Sequence, residues 1–236
     1  MVAQRDVMTA RVDGIGEAGI ARLRVARVLV VGAGGLGSPV LAYLAAAGVG
    51  TIGISDPDRL EPSNLQRQVI HPESRLGEAK SVSAARTVRA LNSQIAVRVE
   101  PGMTLDNAGD VARGYDVVVD ATDSFSSKYL LSDCCTTLEI PHVWGTLVGM
   151  SFQVSVFAQG RTLRHLYPDP PPPGSTPSSR TVGVLGGVCG QAGSLMATEV
   201  VKLITGAGTP LIGRLLIVDA AAGKWNVVAF MPKEHA

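Results

Sequence analysis

Residues 28–37 read VLVVGAGGLG, and this stretch together with its flanks decides the fold. Residues 26–31 are a short apolar run rich in β-branched side chains, which predicts a buried strand. Residues 39–47, rich in alanine and leucine, predict a helix. Between them Gly32, Gly34 and Gly37 satisfy G-x-G-x-x-G in the strand–turn–helix setting that the motif requires. The glycines have a chemical purpose. A tight turn lets backbone N–H groups approach an anionic phosphate, and the helix N-terminus adds partial positive charge. Taken alone, the loop suits a nicotinamide or flavin site as well as ATP.

No charged residue occurs between positions 28 and 55, so a membrane span has to be considered. Seven glycines and a proline fall inside that stretch, and the loop bisects it. A buried strand–helix–strand therefore explains it better than about 20 continuous apolar residues in a bilayer. Outward from there the alternation continues. Residues 51–55, 95–100, 115–120 and 142–147 predict strands, and 17–24, 78–91, 106–113 and 124–138 predict helices. This predicts an α/β fold with a Rossmann-like, doubly wound, mostly parallel sheet.

From residue 150 the pattern changes. Residues 151–158 alternate, and 214–218 and 225–230 read as further strands of an antiparallel C-terminal continuation. Residues 181–204 read as one long helix. A single domain is expected over residues 1–236: an arm and helix to 25, a nucleotide-binding half over 26–148, and a C-terminal half over 149–236 with a crossover loop at 160–180. That loop contains YPDPPPPGSTPSSR, residues 167–180, whose four successive prolines exclude helix and central strand. It reads either as a plain surface connection or as a lid beside the site.

Composition narrows the function classes. A chain of 236 residues is long enough for one α/β domain with a sizeable core. Its net charge of +1 gives no electrostatic case for nucleic acid or an anionic membrane surface. The first residues mix both charge signs without an apolar core, so no secretion signal is read there. Cys134, Cys135 and Cys189 are odd in number and lack C-x-x-C spacing, which argues against a disulfide framework or a zinc site. A reducing cytoplasm is the simplest setting, and all three cysteines read as buried small residues.

The polar residues after the loop are more specific. Asp56 stands at the end of the second strand, where a carboxylate accepts hydrogen bonds from ribose hydroxyls; alone it would read equally well as a turn or cap. Asp58, Asn64, Arg67, Gln68 and then Lys80 follow. A plain dehydrogenase has no need of this cluster, whereas a site that expels pyrophosphate does. Arg67 offers a planar fork for phosphate oxygens, and Lys80 a compact charge. The plainer readings are a surface ion pair for Arg67 and a solvated first-turn residue for Lys80. Asp58 and Asn64 would orient these cations or the triphosphate. Asp123, in the DATDS segment ending the fourth strand, is placed to hold Mg²⁺, which takes one or two carboxylates plus phosphate oxygens. Asp123, Thr122 or Ser124 would alternatively cap the following helix.

Taken together, GAGGLGS, DPDRLEPSNLQRQ, the segment from Gly77 to Lys80, DATDS, YPDPPPPGS and VGVLGGVCGQAGSLMATEVVKL resemble the ubiquitin-activating-enzyme-like family. Within it they are nearest the ThiF/MoeB/HesA-type adenylyltransferases, the group that acts on molybdopterin synthase and sulfur-carrier proteins. The pieces run in the family's order across most of residues 15–218. The resemblance implies that ATP and Mg²⁺ adenylate the C-terminal glycine carboxylate of a ubiquitin-like sulfur carrier ending in Gly-Gly, releasing pyrophosphate. The ATP site it implies comprises Gly32, Gly34, Gly35, Gly37, Asp56, Asp58, Asn64, Arg67, Gln68, Lys80 and Asp123. Within it Gly34 and Gly35 lie at the phosphates, Asp56 binds ribose, and Asn64, Arg67 and Lys80 act on the triphosphate. Asp123 holds the metal, and Arg67, Lys80 and Asp123 are the expected catalytic residues. The attacking group is already a carboxylate, so catalysis reduces to positioning and charge stabilisation at the α-phosphate. A homodimer is also implied, with the carrier's tail entering beneath the crossover loop.

The chain departs from the family pattern in four places. Thr162 and His165 occupy the first zinc C-x-x-C pair's positions and the sequence ends before the second, so no zinc is expected. Ser179 stands where some members place a cysteine; lacking a thiolate, it forms no persulfide or acyl-disulfide, and a released or handed-on acyl adenylate is the expected product. Met8 stands where members often carry an arginine that reaches the partner subunit's nucleotide, with Arg5 and Arg11 nearby as substitutes. No rhodanese-like extension follows residue 236, so a separate sulfur donor protein is expected. These changes leave a second reading open: a catalytically impaired nucleotide-binding relative that serves as interaction partner of an active subunit.

Overall fold

The structure, a computed structural model, describes residues 3–172, 174–176 and 179–230, with the backbone alone at 179 and 180. Its frame is an eight-stranded sheet in the order β3-β2-β1-β4-β5-β6-β7-β8. β1 (Arg27–Val31) lies between β2 (Thr51–Ser55) and β4 (Val117–Asp120), with β3 (Ala96–Glu100) beyond β2 and β5 (His142–Val148) beyond β4, all parallel. β6 (Ser151–Phe157), β7 (Arg214–Asp219) and β8 (Lys224–Ala229) extend the sheet antiparallel. The expected architecture and the antiparallel continuation are both present.

Side-chain alternation along β1 shows why the sheet is covered on both faces. Val28 and Val30 join Ile52, Ile54, Val117 and Val119 in one apolar cluster beneath the helices Gly16–Val25, Gly37–Ala47, Lys80–Leu91 and Gly186–Thr205. Leu29, Val31 and Val118 turn to the other face, against Ala108–Ala112 and Phe125–Thr137. Each fully buried aliphatic side chain is worth about 1.5–3 kcal/mol, so two-sided burial selects the continuous apolar runs seen in the sequence.

Register then builds the site. Val31 pairs with Ser55 on one side and with Asp120 on the other. The chain leaves all three strands at one level, which sets the glycine loop, Asp56 and the segment after Asp120 side by side. Strand order reverses between β1 and β4, and at such a switch point the departing loops diverge and open a crevice at the carboxyl ends.

Gly32 and Gly37 make the turn possible. Gly32 has φ +98°, and a Cβ on Gly37 would overlap the Gly32 carbonyl oxygen. Gly37→Ala is therefore expected to cost more than about 2 kcal/mol of stability, read as a lower urea midpoint. An unchanged midpoint would mean the loop relaxes around a methyl group.

The single helix expected over residues 181–204 is interrupted. A four-residue helix, Ser179–Val182, is followed by an extended break before the Gly186–Thr205 helix. The break is held by the β5–β6 connection: Gly149 N donates to Gly183 O at 3.0 Å and Leu185 N donates to Gly149 O at 3.2 Å. These tertiary hydrogen bonds outcompete the continuation of the helix, a competition that helix propensity does not encode.

Candidate active site

A cavity of about 680 Å³ opens at the carboxyl ends of β1, β2 and β4. Gly32, Gly34, Gly35, Asp56, Asp58, Arg67, Gln68, Lys80 and Asp123 line it. Gly37 and Asn64 do not line it. Gly37 packs behind the loop against Gly32, and Asn64 is buried in a local capping arrangement in which its Oδ1 accepts from Glu61 N at 3.2 Å. The Asn64 carbonyl accepts from the N–H groups of Arg67 and Gln68, at 3.1 and 3.0 Å. Its place in this structure is to shape the turn that presents those two residues.

The Asp56 carboxylate bridges two loops. Oδ2 accepts from Ala33 N at 2.7 Å and Oδ1 from Asp58 N at 2.8 Å. Burial raises its pKa, opposed by those two N–H bonds and by the Lys80 charge. Lys80 opens the Lys80–Leu91 helix, and its Nζ meets Asp58 Oδ2 at 2.8 Å. The lysine side chain is 8% exposed and its aspartate partner 65%, so this ion pair faces solvent only from the acidic end. Arg67 spends one Nη1 donor on Ser63 O at 3.0 Å and forms no ion pair with a described residue. Gln68 Oε1 is a buried acceptor without a partner among the described residues.

Asp123 is exposed and lines the cavity. No group of three or more His, Cys, Asp or Glu side chains among the described residues is arranged to hold a metal. Asp123, a cavity-lining carboxylate with no hydrogen bond or ion pair to a described residue, suits Mg²⁺, whose remaining ligands come from phosphate oxygens and water.

The reading of the sequence missed Lys128 and the carboxylate it serves. Lys128 lines the cavity yet is 3% exposed, and its Nζ contacts Gly145 O at 2.7 Å and Asp120 Oδ1 at 3.3 Å. Asp120 Oδ1 also accepts from Thr122 N and Oγ1, at 3.0 and 2.7 Å. Its Oδ2 lies 3.7 Å from His142 Nε2, too long for a hydrogen bond. Burial alone would raise the Asp120 pKa; the Lys128 ammonium, helped by His142 and Thr122, instead holds it at about 2. A sequence signal existed: Lys128 falls in helical phase with Leu131, Ser132 and Cys135, the buried stripe of Phe125–Thr137.

The crossover segment reaches the site. Tyr167, Asp169, Pro171 and Thr176 line the cavity, and Tyr167 is fixed by donating from its hydroxyl to Gln153 Oε1 at 2.7 Å. Thr162 and His165 form a helix cap, with Thr162 N donating to His165 Nδ1 at 3.0 Å. The Ser179 side chain lies outside the described residues. Cys189, in the first turn of Gly186–Thr205, is buried and lines the cavity against Gly35, and Cys135 is buried in the core beneath Phe125–Thr137. Cys134 is half-buried, a correction to the expectation for all three, because its helix position faces partly outward. Burial pushes each thiol's pKa up, so none is primed as a nucleophile. In the arm, Arg5 is engaged with Asn92 Oδ1 at 2.7 Å, Arg11 stays near the Met8 sulfur, and neither lines the cavity of its own chain.

The chain is 48% identical over 224 residues to the probable adenylyltransferase/sulfurtransferase MoeZ of Mycobacterium tuberculosis, covering 92% of this chain and 57% of that protein. It is 45% identical over 214 residues to a sulfur carrier protein adenylyltransferase of Thermus thermophilus, covering 87% of this chain and 79% of that protein. The chain thus spans little more than half of MoeZ and most of the Thermus protein. Among solved structures, E. coli MccB with MccA-N7isoASN superposes with a TM-score of 0.84 at 20% identity, over 97% of this chain and 72% of that one, a likeness of fold. The ThiF family pattern matches residues 7–236. A glycine loop at a switch-point crevice, a buried lysine beside it and this end-to-end match lead to one assignment: the chain belongs to the ThiF family.

Proposed function

We propose that this chain is an adenylyltransferase that uses ATP and Mg²⁺ to activate the C-terminal glycine carboxylate of a ubiquitin-like sulfur carrier ending in Gly-Gly, as an acyl adenylate. The observation that carries this reading is the convergence of the glycine loop, Arg67, Lys80 and Asp123 on one cavity that the crossover segment also lines. In this reading the glycine loop and the cations take the phosphates, and the carrier's tail enters along the crossover segment. The relatives named as adenylyltransferases support the same chemistry.

The loop N–H groups bind the polyphosphate, and Arg67 and Lys80 stabilise the charge that develops as pyrophosphate departs. Each such preorganised donor is worth about 3 kcal/mol in the transition state. Asp123 would hold Mg²⁺ on the protein side, and the ion would supply neutralisation of phosphate charge. The carrier carboxylate attacks the α-phosphate; a carboxylate needs no proton removed, so no general base is assigned. Two copies of the chain, a separate sulfur donor and a cytoplasmic setting complete the proposal.

The test is ATP–pyrophosphate exchange. Exchange should depend on both Mg²⁺ and a carrier with a free Gly-Gly terminus, and vanish when those glycines are removed. Nucleotide binding without exchange, across every Gly-Gly carrier tried, would support the non-catalytic interaction partner instead.

A further inference from the structure

Ala33 stands at the centre of the glycine loop, and buried side chains hold both of its backbone polar groups. Its N–H donates to Asp56 Oδ2 at 2.7 Å, and its carbonyl lies 2.8 Å from His71 Nε2. His71 is 4% exposed and reaches the loop from 38 residues further along the chain. Its other ring nitrogen, Nδ1, lies 2.9 Å from Ser83 Oγ, a fully buried hydroxyl on the Lys80–Leu91 helix. A carbonyl oxygen only accepts, so Nε2 carries the proton and Nδ1 accepts from Ser83. Burial lowers the pKa of His71, which keeps the ring neutral and makes that tautomer matter.

Peptide geometry turns this contact into direction. A trans peptide places its carbonyl and the following N–H on opposite sides, and no described peptide bond is cis. With the Ala33 carbonyl turned toward His71, the Gly34 N–H points the opposite way. Gly34 lines the cavity, and neither its N–H nor that of Gly35 donates to any described residue. On the other side of Ala33, the Gly32–Ala33 peptide is held by the bond from its N–H to Asp56, and its carbonyl lies close against Gly37. Both peptides flanking Ala33 are therefore locked.

We propose that His71 is a positioning residue for the nucleotide: with Asp56 it clamps Ala33 so that the Gly34 N–H is aimed at a phosphate oxygen before the nucleotide arrives. The advantage is preorganisation, since a donor already in place costs nothing to orient when the anion binds. This inference rests on the proposed use of ATP only for the identity of the anion. The clamp itself is a property of the loop.

Two variants separate the clamp from mere filling of space. His71→Gln keeps an N–H able to reach the Ala33 carbonyl. His71→Asn is shorter and reaches only the Ser83 side. His71→Asn is expected to weaken Mg²⁺-ATP binding about tenfold and raise KM for ATP with kcat nearly kept, while His71→Gln stays within about threefold of the parent protein. In nucleotide-free protein, hydrogen exchange at the Ala33 amide should quicken in the Asn variant and not in the Gln variant. Parental ATP affinity in His71→Asn, or equal losses in both variants, would overturn the clamp. Should His71→Asn fail to fold, Ser83→Ala, which removes the Nδ1 partner, should give the same weakening of ATP and the same quickened Ala33 exchange; parental values for both would overturn the proposal. If the parent protein binds no ATP, the adenylation reading falls, and the amide-exchange comparison still decides the clamp.

Discussion

Replacing Lys80 by methionine should lower the rate of ATP–pyrophosphate exchange about 10²–10³-fold while leaving the fold intact. The asymmetry of the ion pair makes the result clean. Lys80 is 8% exposed, so its methylene stem is packed and methionine preserves that packing. Its partner Asp58 is 65% exposed, so the carboxylate left behind is hydrated and carries little penalty. What disappears is one positive charge inside the cavity, beside the loop that is to hold phosphate. Loss of a single preorganised donor of this kind costs about 2.7–4 kcal/mol of transition-state stabilisation. The check is exchange at saturating ATP and carrier, with the urea midpoint measured alongside. Lys80→Arg should recover only part of the rate, because the planar guanidinium does not occupy the ammonium's place. A Lys80→Met protein with the parental exchange rate would remove Lys80 from the chemistry altogether.

Which parts of this site were legible in the sequence follows a physical pattern. β1 and β2 were readable because burial on both faces leaves runs such as VLVV that admit few alternatives. The glycine loop was readable because the positive φ of Gly32 and the close approach of Gly37 to the Gly32 carbonyl are demands that act within a few residues. Asp56 was readable as a strand-end carboxylate, yet its two hydrogen bonds to the N–H groups of Ala33 and Asp58 belong to the folded loops. The break before Gly186 was hidden because the partners that create it, Gly149 and the β5–β6 connection, are distant in the chain. His71 was hidden for the same reason: its contacts are 12 and 38 residues away, and nothing local marks a histidine as serving a carbonyl. Lys128 was the exception. Its phase in the helix marked it as buried, and a buried lysine implies a partner that the sequence does not name.

That partner yields the second large effect, on stability. Lys128→Met should destabilise the protein by about 3–5 kcal/mol at neutral pH, because it strands the Asp120 carboxylate, which is 0% exposed, without its cation. Adding Asp120→Asn in the same protein should recover much of the loss, since the charge needing compensation is then gone. Acid separates charge from packing. In the parent protein Asp120 has its pKa lowered from 3.8 to about 2, so its contribution is complete above the unfolded value and fades as the pH falls toward about 2. The shift corresponds to about 2 kcal/mol. In Lys128→Met, burial acts on Asp120 with less opposition and its pKa moves up, which reverses the sign: protonation now favours the folded state. The stability gap between the two proteins should therefore narrow steadily as the pH is lowered from 7 to 3 in urea titrations. A gap that stays constant over that range would mean the ammonium acts through its hydrogen bond to Gly145 O, at 2.7 Å, and its contact with the Trp144 ring, 5.6 Å away, and not through Asp120.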